Sequence, residues 1–187
     1  MPFLTFDAAR SAAPDRTTGM ARESLRKSAG APLNQLYDVF LSHTIKDALV
    51  IKGIKTILER SGLTVYVDWI DDPELNRASV NAATAEHLRT RMKHCRSLIF
   101  ATSDSSPNSK WMPWELGFFD GLRGNHIAIL PVTHTRDAVF YGQEYLGLYP
   151  VLQDLDSVRP RLEIPIQGSS ALSVRDLQNK AVWLTVS

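Results

Sequence analysis

The sequence predicts an α/β fold in which one sheet of five short parallel strands carries helices on both faces. Three observations lead there. From Tyr37 onward, β-branched and aromatic runs alternate with stretches of helical periodicity. The third such run, Ser97 to Ser103, is nearly all apolar, as a strand buried on both faces should be. No internal repeat interrupts the alternation. Regular alternation with buried strands implies parallel pairing through right-handed crossovers. Five strands of this kind suit the flavodoxin-like order 2-1-3-4-5, with a ligand crevice beyond the C-terminal ends of strands one and three.

Residues 1–35 differ in texture from the rest. They are rich in Ala, Ser and Arg, lack sustained apolar periodicity, and read as a flexible or edge-packing extension. The acids Asp7, Asp15 and Glu23 argue against a transit peptide. Residues 36–187 then read as one domain. "YDVFLS", Tyr37 to Ser42, is the first strand, and Val50, Ile54, Ile57 and Leu58 follow at helical spacing until Ser61 and Gly62 stop the helix. "LTVYVDW", Leu63 to Trp69, is the second strand. A polar loop with Pro73 follows it, and then a helix with Ala85, Leu88, Met92 and Cys95 along one face. After the third strand comes a polar loop from Asp104 to Ser109, a helix in "SKWMPWELGFFDGL", a fourth strand in "IAILPV" and a fifth in "LYPVLQ". Ser173 with Asp176 three residues on predicts the start of a last helix through Leu184.

Composition narrows the function classes. The chain has 187 residues, 44% of them hydrophobic, enough for one core. A formal net charge of +1 gives no reason to expect nucleic acid or an acidic membrane surface as partner. The longest apolar runs, such as Ile127 to Leu130, fall far short of the ~20 residues that span a bilayer. The lone cysteine, Cys95, has no internal partner for a disulfide, which fits a cytoplasmic setting. On a helical apolar face it reads as buried and inert.

The predicted order brings particular residues to the crevice. The loop after strand one holds Ser42, His43 and Thr44, and the loop after strand three holds Asp104, Ser105 and Ser106. The latter delivers the helix that begins near Trp111. With Pro113 at the first helical position, where its missing N–H costs nothing, Glu115 lies in the positive end of the helix dipole, which favours the ionised carboxylate. With Ser109 as the cap instead, the proline sits deeper and removes a bond. Either way Trp111, four residues before Glu115, brings an aromatic ring to the same neighbourhood.

An ionised carboxylate beside an aromatic face suits a reaction that develops positive charge. Cleavage of the nicotinamide–ribose bond of NAD+ is one. The ring leaves as a neutral amine and the cationic character passes to the sugar, so no second carboxyl group is needed to protonate a leaving oxygen, as glycosidases require. A charge pair at about 4 Å and an effective dielectric of ~20 is worth ~4 kcal/mol, or about three decades in rate. An aromatic contact with the pyridinium adds about 1 kcal/mol.

"YDVFLSH" at Tyr37 to His43, "VYVD" at Val65 to Asp68 with its long polar loop, and "WMPWE" at Trp111 to Glu115 resemble the first box, the second strand with its loop, and the W-x-x-x-E motif of Toll/interleukin-1 receptor (TIR) domains. The chain is similar, more narrowly, to stand-alone bacterial TIR proteins of the Thoeris anti-phage type. The match runs from roughly Leu36 to Val132. The resemblance implies an NAD+ glycohydrolase or ADP-ribosyl cyclase with Glu115 as the catalytic residue and NAD+ as substrate rather than cofactor. It assigns nucleotide-binding roles to Ser42, His43, Thr44, Trp69, Asp104, Ser105 and Trp111. It also implies self-association through TIR–TIR contacts and a downstream effector that senses the product. Many enzymatic relatives place an arginine or a tyrosine after the serine, where this chain has His43.

Other readings stand beside these. Taken alone, Glu115 would simply cap its helix; the flanking ring and the crevice favour function. Trp114 reads as core. His43 reads equally as a base or phosphate contact and as a solvated loop histidine. Asp68, Asp71, Asp72 and Glu74 lack a recognised metal-ligand spacing and read as a charged loop, so no metal is expected. The alternative functions are a catalytically silent adaptor, assembling through the loop around Trp69 to Arg77, and, more remotely, an enzyme like nucleoside deoxyribosyltransferases.

Overall fold

The structure is a computed structural model of the 187-residue chain and describes residues 3–14, 32–44, 48–68, 81–104, 106–124, 126–140, 142–153, 161–163 and 172–173. Its elements run β1 (Leu4–Thr5), α1 (Phe6–Ala12), β2 (Tyr37–His43), α2 (Ala48–Arg60), β3 (Val65–Tyr66), α3 (Ala82–Lys93), β4 (Cys95–Thr102), a 3-10 turn (Ser106–Asn108), α4 (Met112–Arg123), β5 (Ile127–Thr133), a second 3-10 turn (Glu144–Leu148), β6 (Val151–Gln153), β7 (Arg161–Glu163) and β8 (Leu172–Ser173).

The five expected strands are β2 to β6, and they lie side by side as β3-β2-β4-β5-β6 with every pairing parallel. The α/β class is therefore as expected. The sheet differs from expectation in detail, because three further strands join it. β7 and β8 extend it antiparallel beyond β6, and β1 runs parallel to β5 through Leu4↔Val132 and Thr5↔Thr133. β6 meets β5 only at Ile129, so the C-terminal half of that edge of β5 would be open without β1. An open edge of a buried strand leaves backbone groups unpaired.

Several boundaries shift. The second strand shrinks to two residues, and the third begins at Cys95, which moves that cysteine from the helix face to the sheet. It is fully buried there. Ser173 ends β8 instead of capping a helix, and residues 174–187 lie outside the described residues.

Strand alternation splits the core between two faces. Val39, Leu41, Ile99, Ala101 and Leu130 pack under α1 and α2 with Ile51, Ile54 and Leu58. Phe40, Leu98, Phe100 and Ile129 pack under α3 and α4 with Leu88, Met92, Met112, Leu116 and Phe119. Each large apolar side chain buried this way contributes about 1.5–3 kcal/mol. Asn81 caps α3 by accepting the Thr84 N–H at 2.8 Å. The buried Arg91 donates to the Pro32 carbonyl at 2.6 Å and lies 5.3 Å from the centre of the Tyr66 ring.

Residues 3–14 are part of this core. Thr5 caps α1 by accepting the Ala8 N–H at 3.1 Å, and Leu4 and Ala9 are buried. α1 crosses α2 at Gly53 so closely that a Cβ built there would sit 1.7 Å from the Ala9 carbonyl oxygen. Only glycine admits that approach, which explains a residue that otherwise weakens a helix by about 1 kcal/mol.

Candidate active site

The last residues of β2 project to opposite sides of the sheet. Ser42, fully buried, faces α4, where its hydroxyl donates to Glu115 Oε2 at 2.6 Å. Such a short O–H···O contact is the length expected of a hydrogen bond to an ionised carboxylate. His43 is 6% exposed, and its Nε2 lies 3.5 Å from Asp68 Oδ1, itself 1% exposed. β2 and α4 thus deliver a serine–carboxylate pair at the strand ends, and β2 and β3 deliver a histidine–carboxylate pair beside it.

The start of α4 explains how Glu115 is held. Ser109 Oγ accepts the Met112 N–H at 3.1 Å, Trp111 is the cap residue, and Pro113 takes the second helical position. The expected first position of the proline is thereby corrected by one residue, and the deeper, fourth position that a Ser109 cap would give it is corrected by two. The physical reason is unchanged, since the first-turn N–H groups have no partner inside the helix and a proline there loses nothing. The first intrahelical bond runs from the Glu115 N–H to the Trp111 carbonyl at 2.8 Å, so the carboxylate sits at the edge of the positive end of the dipole.

Glu115 is, however, fully buried rather than lining an open crevice. The cause is helical phase. Met112, Glu115, Leu116 and Phe119 recur at one-face spacing and are all buried, so the glutamate belongs to the inward stripe of α4. Trp111 likewise is only 6% exposed and packs in the core under α3 and α4 instead of offering an open stacking surface. Its ring meets Trp114 edge-on at 5.4 Å. Trp114, half-buried, stacks on Phe118 at 5.9 Å and takes the Arg89 guanidinium 5.3 Å from its ring centre.

The loops after β2 and β4 touch through Thr44 Oγ1 and Ser106 Oγ at 3.4 Å. Ser106 closes its own turn by accepting the Ser103 N–H at 2.8 Å and donating its N–H to the Ser103 carbonyl at 2.9 Å. Asp104 is almost fully exposed and reaches no closer than 3.9 Å to His134 Nε2, a pairing worth little in open solvent. Ser42, His43, Thr44 and Glu115 are thus brought together, and Asp104 stands apart from them. Trp69 and Ser105 lie outside the described residues, as do Asp71, Asp72 and Glu74.

Two features of the site escape the sequence. Asp68 reads there as one acid of a charged loop, yet it is buried against His43, which also removes the solvated reading of that histidine. The available signal is its position directly after the apolar run Val65–Val67. Ser106 can be placed in the loop after the third strand, but nothing in the chain marks it out from the other serines there.

No protein-family model matches the chain. Over 118 residues, 63% of this chain and 61% of the relative, it is 53% identical to a protein of Bacillus cereus (strain MSX-D12) named a probable 3' cyclic ADP-D-ribose synthase, ThsB'. Over 85 residues, 45% of this chain and 22% of the relative, it is 34% identical to a Cytobacillus dafuensis protein provisionally named cyclic ADP-D-ribose synthase TIR2. The matched region spans about six-tenths of the first relative and about a fifth of the second. The resemblance to TIR proteins of the Thoeris type, first read from three short motifs, is borne out by these relatives.

Proposed function

We propose that the protein is a TIR enzyme of bacterial anti-phage defence that cleaves the nicotinamide–ribose bond of NAD+ and releases a cyclic or otherwise modified ADP-ribose, with Glu115 as the catalytic carboxylate. The observation that carries this reading is the Ser42–Glu115 pair. A single carboxylate, held by a 2.6 Å hydrogen bond in a dry site, lies where the strand order of the sheet reverses. The names of the two relatives support the same substrate class and, more narrowly, cyclisation.

In the proposed reaction nicotinamide departs with the bonding electron pair, and C1 of the ribose becomes cationic. The carboxylate of Glu115 faces that charge, and its low-dielectric surroundings strengthen the attraction relative to water. Water, or a hydroxyl or ring nitrogen of the ADP-ribose itself, then supplies the electron pair for the new bond; an attacking O–H gives up its proton. His43, beside Ser42 and backed by Asp68, and Thr44 would contact the dinucleotide's polar groups at the strand ends. The covered carboxylate makes the present arrangement a resting form. Turnover requires a second arrangement in which Ser42 releases Glu115 to a ribose, and self-association is the proposed means of favouring it. The reading places the protein in the cytoplasm with its substrate, and a separate effector would sense the product. No helix among the described residues is long and apolar enough to cross a membrane.

Burial of Glu115 equally favours a second reading, the silent adaptor, in which the carboxylate only stabilises the fold. Nicotinamide release from NAD+, measured across a protein concentration series for the native chain and Glu115→Gln, separates them. Turnover that rises with concentration and falls about a thousandfold in the variant supports the enzyme. Equal turnover in both proteins refutes the role of Glu115, and none at any concentration favours the adaptor.

A further inference from the structure

A cavity of about 480 Å³ opens at the C-terminal ends of β4 and β5, on the far side of β4 from the Ser42–Glu115 pair. The volume falls in the range of small-molecule sites. Its lining includes the apolar side chains of Val132, Phe140 and Leu146. Thr102, Ser103, Thr133 and Thr135, which carry hydroxyls, and Gln143, which carries an amide, line it as well. No lysine or arginine is among the described residues that line it, and the one carboxylate, Asp104, is at its exposed rim. This chemistry suits a planar heterocycle on the apolar side with hydroxyls or ring nitrogens toward the rim; for a phosphate the described lining offers only hydroxyls and the exposed His134 ring, with no lysine or arginine to pair the charge.

The cavity wall is built and braced rather than left to a loose loop. Residues 134–140 are held from outside by the N-terminal segment. The Phe3 N–H donates to the Arg136 carbonyl at 3.0 Å, the Phe3 ring meets Phe140 edge-on at 6.3 Å, and Phe6 lies 4.9 Å from the His134 ring. β1 fixes Val132 and Thr133 at the same level by strand pairing. A wall ordered before binding spares the ligand the entropy of ordering it.

We propose that this cavity is a second ligand site, separate from Glu115, that takes an uncharged nucleoside. It adjoins the turn through which Ser103 and Ser106 reach Thr44, so an occupant would contact the loop that borders the Glu115 pair. The inference stands on the cavity and does not require NAD+ cleavage.

Adenosine is the probe, with AMP as the charged comparison, followed by amide chemical shifts and calorimetry on the full chain. Saturable shifts centred on residues 133–143, at least tenfold weaker binding in Ala138→Phe, which fills the cavity, and AMP binding no tighter than adenosine are expected. Adenosine affinity should persist in Glu115→Gln, whatever that variant does to nicotinamide release. Gln143→Leu gives a second lesion with little change of volume and should weaken adenosine several-fold. No saturable binding, shifts centred on Ser42 and Glu115, or AMP binding tenfold tighter than adenosine would each overturn the proposal.

Discussion

Replacing Ser42 by alanine removes one hydroxyl from a pair in which both side chains are fully buried, and the consequence can be worked from the geometry. The 2.6 Å contact has the length of a hydrogen bond to an ionised carboxylate, a class worth about 1.5–3 kcal/mol. Neither partner has solvent-accessible surface, so bulk water does not take over the donation. Ser42→Ala should therefore lose about 1.5–3 kcal/mol. For a chain of this size each kcal/mol moves the thermal midpoint by about 2–4 °C, so a fall of roughly 3–12 °C is expected. Urea denaturation followed by circular dichroism measures the free energy directly. A double-mutant cycle with Glu115→Gln then isolates the pair: the neutral amide accepts a weaker bond, so the cost of removing the Ser42 hydroxyl should shrink by about 1 kcal/mol or more. If Ser42→Ala lies within about 0.5 kcal/mol of the native chain, or the cycle shows no coupling, then Ser42 does not hold the carboxylate and the resting arrangement assigned to the site is wrong.

Gly53→Ala should destabilise by at least about 2 kcal/mol, because its Cβ would meet the Ala9 carbonyl and force α1 away from α2; a variant as stable as the native chain in urea would mean that α1 does not dock there. Tyr149 should ionise above the ordinary tyrosine range, since burial and the adjoining Asp120 carboxylate both disfavour the phenolate. Its raised pKa contributes stability that is present below pH ~10 and is lost as pH rises through the folded value. Absorbance titration near 295 nm should therefore lose a component that ionises above the ordinary range in Tyr149→Phe and see that component move to lower pH in Asp120→Asn; an unchanged curve in both would reject the assignment.

Some of the site could be read from the chain without coordinates. Ser42 and Glu115 were legible because strand alternation and the W-x-x-x-E spacing set their places at a strand end and in a first helical turn. The inward phase of Glu115 was also written in the spacing of Met112, Leu116 and Phe119, and weighing that stripe would have announced its burial. The His43–Asp68 contact was not legible, because it joins two strand ends separated by a whole helix. Nor was the docking of residues 3–14: two residues of strand and seven of helix carry too few apolar positions to show a period, and their stability comes from surfaces on β5 and α2.

By itself, then, the sequence determined the alternation of elements, the parallel core of the sheet and the placing of one serine and one carboxylate at its C-terminal ends. Those are local matters of side-chain period, turn residues and connection length, and they repeat at each element. Only the tertiary structure decided that Ser42 is the hydrogen-bond partner of that buried carboxylate, that an aspartate answers His43, and that the N-terminal segment completes an edge of the sheet and braces a cavity wall. Each of these depends on which surfaces cover the strand ends, and the free energy of a charge or an open edge is set by what surrounds it.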